Sequence, residues 1–172
     1  MLRVAALLVL LLLPSACGFK PLYKEGAGGA GIPAVLSTVE VAPIPDRLGQ
    51  QMRFHLQDRL GHTGAPDYRV QVVLTQTLDT FGIKPDTSAT QEQLIMRADF
   101  SLVRLSDGAE VLSDTYVTRT TYDIVISDFA TVMQREDTAR RLALDLADRI
   151  HRRIAFTLAP AAGKDNSQES QR

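Results

Sequence analysis

A single cysteine, Cys17, stands in the 172-residue chain, and tryptophan is missing altogether. One thiol excludes an intramolecular disulfide and a cysteine-based zinc cluster. Aromatic residues make up 6% of the chain, which is thin for a surface that stacks on bases or sugars. Charge of neither sign is in excess: 19 Lys and Arg stand against 20 Asp and Glu, for a formal net charge of −1. The basic footprint of a nucleic-acid partner is therefore lacking. No phosphate-cradling glycine loop, dinucleotide fingerprint or G-x-S-x-G elbow occurs. The histidines are His55, His62 and His151. His55 and His62 fall near one helix, but two imidazoles without a third ligand hold zinc poorly. No serine sits in a recognisable nucleophile turn, so a lipid hydrolase has no support. We expect no enzyme activity, no cofactor and no metal. No apolar run reaches the about 20 residues of a membrane-spanning helix.

What is present begins at the N-terminus. Arg3 precedes an unbroken apolar run, Val4 to Leu13, followed by Pro14, Ser15 and Ala16. A short apolar segment with a basic start and a small-residue exit reads as an export signal, residues 1–16. Leu13-Pro14-Ser15-Ala16-Cys17 resembles a bacterial lipoprotein lipobox, with Pro14 where an apolar residue is usual. That resemblance implies diacylglycerol on the Cys17 thiol, cleavage before it, and a fatty acyl chain such as palmitate on the new amine. Each buried methylene contributes ~0.8 kcal/mol, so several chains on one residue anchor it firmly in the membrane.

Residues 17–33 read as a flexible tether, since Gly26-Ala27-Gly28-Gly29-Ala30-Gly31 has almost nothing to bury. Phe19, Leu22 and Tyr23 near its start suit the lipid interface, a partner, or a plain spacer. Residues 34–160 read as one domain. Ala34 to Pro43 is expected to be a strand, and Leu48, Met52, Leu56 and Leu60 mark a helix that starts at Pro45 or Asp46 and stops before Gly61. Strands follow at Tyr68 to Phe81, Gln93 to Leu105 and Glu110 to Tyr122, each half polar, with Ser106-Asp107-Gly108 as a tight turn. A last helix begins between Asp128 and Thr131, where Thr131 and Gln134 fit a capping box. It carries the stripe Ala139, Leu142, Ala143, Leu146, Ala147, Ile150, Ile154 and Leu158, and Pro160 is expected to close it. Residues 161–172 read as a disordered tail. The order β-α-β-β-β-α gives an α+β two-layer fold: a four-stranded mixed sheet with two helices on one face. The first crossover should be parallel and the rest an antiparallel meander.

Two segments stand out. The connection from Asp79 to Glu92 is long for a hairpin and carries Lys84. The segment Thr120 to Thr131 is apolar for a solvent loop. Ile124, Ile126 and Phe129 either cap the core or meet a partner.

Taken together, Cys17-Gly18-Phe19-Lys20-Pro21-Leu22-Tyr23, the element order, Tyr122-Asp123-Ile124-Val125-Ile126-Ser127-Asp128-Phe129-Ala130 and the helix at Ala139-Arg140-Arg141-Leu142-Ala143 resemble the LptE family of lipopolysaccharide-assembly lipoproteins, in its alphaproteobacterial form. The resemblance implies a non-enzymatic protein at the periplasmic face of the outer membrane. It implies a place inside the β-barrel LptD, as plug and assembly partner, and binding of lipopolysaccharide. It also points to Lys84 and Arg135 for lipopolysaccharide contact, and to Tyr122, Ile124, Ile126 and Phe129 for partner contact. Both basic residues also fit ordinary surface charge. The alternative function is a lipoprotein of another envelope lipid-transport system.

Overall fold

Proline and a pair of hydroxyls decide how the domain begins. The computed structural model describes residues 32–61, 64–83, 89–124 and 127–169. A short helix, α1, covers Ile32–Leu36. Pro33 sits in its first turn, where a missing N–H costs nothing. The carbonyls of so short a helix need partners. Ser37 Oγ donates to Ala34 O at 2.7 Å and Thr38 Oγ1 to Val35 O at 2.9 Å. Strand β1 is then only Val39–Val41. The strand expected from Ala34 to Pro43 is thus corrected: Val35 looked like part of a period-two pattern but lies on the helix. Ile32 and Pro33, expected in the tether, open the domain. Cys17 and the rest of residues 1–31 lie outside the described residues.

Helix α2, Asp46–Leu60, buries Met52, Leu56 and Leu60 as their spacing predicts. Gly49 permits a close approach: a Cβ there would lie 2.6 Å from Ile44 Cγ2 and 3.0 Å from the Ile44 main chain. Gly61 ends the helix at φ 79°, a left-handed backbone that glycine adopts freely.

Strands β2 (Tyr68–Ile83), β3 (Ala89–Arg104) and β4 (Glu110–Asp123) complete a sheet of order β1-β2-β3-β4. β1 runs parallel to β2, and the other pairs are antiparallel, as expected. The expected long connection from Asp79 to Glu92 is largely strand. Cross-strand pairing continues through Asp79↔Gln93 and Phe81↔Gln91 to Ile83↔Ala89. Main-chain pairing extends the hairpin through most of the stretch expected as a long connection. Lys84 falls in the undescribed turn, as does His62 in the connection after α2.

Helix α3 spans Asp128–Glu169. Its cap is Ser127, whose Oγ accepts from Ala130 N at 3.4 Å. Thr131, expected to open a capping box, is instead buried in the first turns and donates to Ser127 O at 3.2 Å. The helix continues through Pro160 to Glu169, beyond the expected end and into the expected disordered tail. Proline's fixed φ is helical, but its missing N–H and the clash of its ring with the carbonyl four residues back both cost stability.

All three helices lie on one face of the sheet, which makes a two-layer α+β fold. Leu146, Ile150 and Ile154 of α3 meet Met96, Ala98 and Leu102 of β3 in a single core. The other face is polar. Arg97 and Asp99 pair there at 2.6 Å, and Thr115 Oγ1 donates to Asp99 at 2.6 Å. The Arg97 and Thr115 hydrogen bonds hold the Asp99 carboxyl down at about 2.

Candidate functional site

α2 and α3 run side by side in the same direction, as their ionic contacts show. Arg47 approaches Glu136 at 3.9 Å, His55 Nε2 meets Asp148 at 2.8 Å, and Arg59 reaches Asp148 at 3.4 Å. Asp148 is half-buried between the helices. His151 is also buried there, one turn further along α3.

At the start of α3 the sheet supplies a buried charge. Even-numbered residues of β3 face the helices: Leu94, Met96 and Ala98 are buried, and so is Glu92. A buried carboxylate needs a cation and donors. Arg135, about two turns into α3, provides both. Its Nη2 lies 2.6 Å from Glu92 Oε1 and its Nε 3.2 Å from Oε2. From β4, Tyr122 Oη donates to Glu92 Oε2 at 2.7 Å. Burial alone would raise the Glu92 pKa. The hydrogen bonds from Arg135 and Tyr122, with the guanidinium charge, outweigh it and hold the carboxyl below its ordinary value. Burial and the neighbouring carboxylate push the Tyr122 hydroxyl up. The cluster ties β3, β4 and α3 together, and it keeps Glu92 charged and Tyr122 neutral.

Beside it lies an open groove of about 410 Å³. Arg47, Leu48 and Gln51 of α2, Gln76 of β2, and Met133 and Arg140 of α3 line it, with Arg135 and Glu136 at the cluster end. Its walls mix apolar and charged groups of both signs. Such a groove suits a ligand with an apolar part and polar main-chain or anionic groups. Phe129, Val132 and Met133, spaced to share one side of α3, are 73%, 44% and 43% exposed. Among the described residues no group of three or more metal-ligating side chains assembles. Among them too, no helix is long and apolar enough to cross a membrane.

The structure brings only some of the expected site residues together. Arg135 and Tyr122 are in direct contact, at 3.4 Å. Tyr122 is buried and turned inward, so it supports the surface from beneath. Ile124 is half-buried and Phe129 stands out in solvent. Ile126, Lys84 and Cys17 lie outside the described residues. Glu92 was missed by sequence reasoning, which began the third strand at Gln93. Its parity with Leu94 and Met96 was the available signal.

The family model described as LptE, lipopolysaccharide-assembly, matches residues 36–154. A candidate lipoprotein of Caulobacter crescentus, solved by crystallography, is 25% identical, with a TM-score of 0.59 over 76% of this chain and 97% of that one. The rare lipoprotein B of Shewanella oneidensis is 16% identical, with a TM-score of 0.57 over 69% of this chain and 94% of that one. A minor lipoprotein of Acinetobacter baumannii is 18% identical, with a TM-score of 0.52 over 70% and 92%. The last two likenesses concern the fold alone. No protein of curated function matches the sequence.

Proposed function

Because this chain belongs to the LptE lipopolysaccharide-assembly family, we propose that it is an outer-membrane lipoprotein that binds the β-barrel LptD, plugs it, and assists the passage of lipopolysaccharide to the cell surface. The observation that carries this reading is the family match over residues 36–154, which takes in the whole sheet, α2, and α3 as far as Ile154. The lipobox-like run ending at Cys17 supports the rest: export by residues 1–16, acylation of Cys17, and attachment to the periplasmic face of the outer membrane. The role is one of binding and not of catalysis.

A wet sheet face built of threonine, glutamine and paired charges suits the polar lumen of a large barrel. Phe129 offers exposed apolar surface to the barrel partner, with Ile124 and Ile126 before it in sequence as further proposed contacts. Lys84 and Arg135 are the proposed cations for lipid A phosphates, which arginine grips bidentately. Arg135 is already shared with Glu92, so a phosphate has to compete with that carboxylate. The test is depletion of the protein in its native cell, with surface lipopolysaccharide measured by accessibility to an impermeant label. Surface lipopolysaccharide should fall while total lipopolysaccharide persists. Unchanged surface lipopolysaccharide, with another lipid class mislocalised, would move the protein to a different envelope transport system.

A further inference from the structure

β2 is paired on both sides for only a fraction of its length. β1 covers Tyr68 to Val70, and Ala42 N donates to Val70 O at 3.0 Å. The chain then leaves through Pro43 and Pro45 into α2. From Tyr68↔Arg104 to Phe81↔Gln91 the β2–β3 register is unbroken. Since the Val70 carbonyl points toward β1, the main-chain groups of Val72, Leu74, Gln76, Leu78 and Thr80 point to the same side. No described main-chain partner meets them there.

Open edges are normally blunted by charge, proline or a bulge. The opposite edge, β4, follows that rule, with Glu110, Asp114, Arg119 and Asp123 and a register shift at Leu102/Val103. The β2 edge does not. Gln71 to Leu78 contains no charge, proline or glycine, and Asp79 is the one charge between Val72 and Thr80. Next to this bare edge lies the groove, with Gln76 in its wall and Leu48 and Met133 as apolar lining. A strand-addition site has these two parts: an unpaired ladder, and a pocket for alternate side chains.

We propose that the β2 edge from Val72 to Thr80 receives an extended segment of the barrel partner by strand addition. The segment continues the row that β1 starts, and its inward side chains, apolar at every second position, enter the groove. This rests on the family-based reading that a barrel is the partner. A second copy of this chain does not fit. Antiparallel pairing of Val72–Thr80 between two copies would set Gly82 of one against Val70 of the other, a place β1 already fills.

The test is co-purification of the barrel with the tagged, lipidated full chain in mild detergent, for wild type, Gln76→Pro and Val117→Pro. Neither proline removes a ladder bond, because both N–H groups point to open edges, and edges tolerate proline. Wild type and Val117→Pro should recover the barrel, and Gln76→Pro should recover it about tenfold less. In the wild-type complex the amides of Val72, Leu74, Gln76 and Leu78 should exchange slowly, and in the free protein quickly. Equal recovery with all three proteins, or equal loss with both prolines, overturns the strand-addition site and leaves the family-based reading standing. Recovery of no barrel even by wild type overturns both. Thermal melting checks each variant. If Gln76→Pro melts early, Gln76→Lys takes its place, with a charge in the groove wall beside the same edge and the same outcomes.

Discussion

Breaking the Glu92–Arg135 pair from its two ends should give two different costs. The carboxylate side chain is 7% exposed and the guanidinium 34%. Removing Arg135 leaves a charge in the protein interior with only Tyr122 to donate to it. Removing the charge of Glu92 leaves a guanidinium that can turn to water. Loss of one partner of a fully buried pair costs about 3–5 kcal/mol. Arg135→Ala should fall near the low end, about 3 kcal/mol, because Tyr122 still holds the carboxylate. Glu92→Gln, which keeps shape and one acceptor, should cost about 1.5 kcal/mol, the worth of a charge-assisted hydrogen bond. At roughly 4 °C per kcal/mol for a domain of this size, the two melting temperatures should drop by about 12 and 6 °C.

The pH dependence adds a second axis. Glu92 has a folded pKa below its unfolded value near 4.5. Its contribution is therefore fully present above that pH and is lost as pH falls through the folded pKa. Urea titrations from pH 7 to pH 3 should show this loss in wild type and lack it in Glu92→Gln. Equal costs for the two variants, or parallel pH curves, would refute the assignment of Glu92 as the buried, ionised partner. The asymmetry also matters for function. A defect in Arg135→Ala reports lipid contact only if the variant melts normally.

Other predictions are simpler. Gly49→Ala pushes a methyl into Ile44 and should cost about 1–3 kcal/mol in a urea melt, although alanine favours helices. His151 is buried against Arg59, and burial, with the charges of Arg59 and Arg152, depresses its pKa against the opposing pull of Asp148. Stability should be full above 6.5 and decline as pH falls below it; His151→Gln should remove that slope. Cys17→Ser should abolish incorporation of labelled palmitate and release the protein from membranes in carbonate extraction. Persistent labelling would place the acyl chain elsewhere.

Much of the fold was legible because it rests on period. The stripes Met52, Leu56, Leu60 and Leu146, Ile150, Ile154 are core, and the alternation of Val70, Val72 and Leu74 places β2 with one face inward. What escaped was decided by main-chain hydrogen bonds and by distant pairing. Asp79 to Ile83 is strand because the main-chain ladder to Ala89–Gln93 continues through it. Val35 followed strand spacing, yet Pro33 and the hydroxyls of Ser37 and Thr38 turned it into a helix. Arg135 was singled out as a cation for an external anion. Its partner Glu92 is 43 residues away in sequence, and only the parity of Glu92 with Leu94 betrayed it. The bare β2 edge follows from the early end of β1, and nothing in the local sequence marks where β1 stops.

The measurement that bears most directly on the central claim is a mild-detergent pull-down of the tagged, lipidated wild-type protein from its native envelope, with the bound proteins identified and quantified. The account predicts one large outer-membrane β-barrel in near-equimolar amount. Recovery of inner-membrane transporter subunits with no barrel would contradict it.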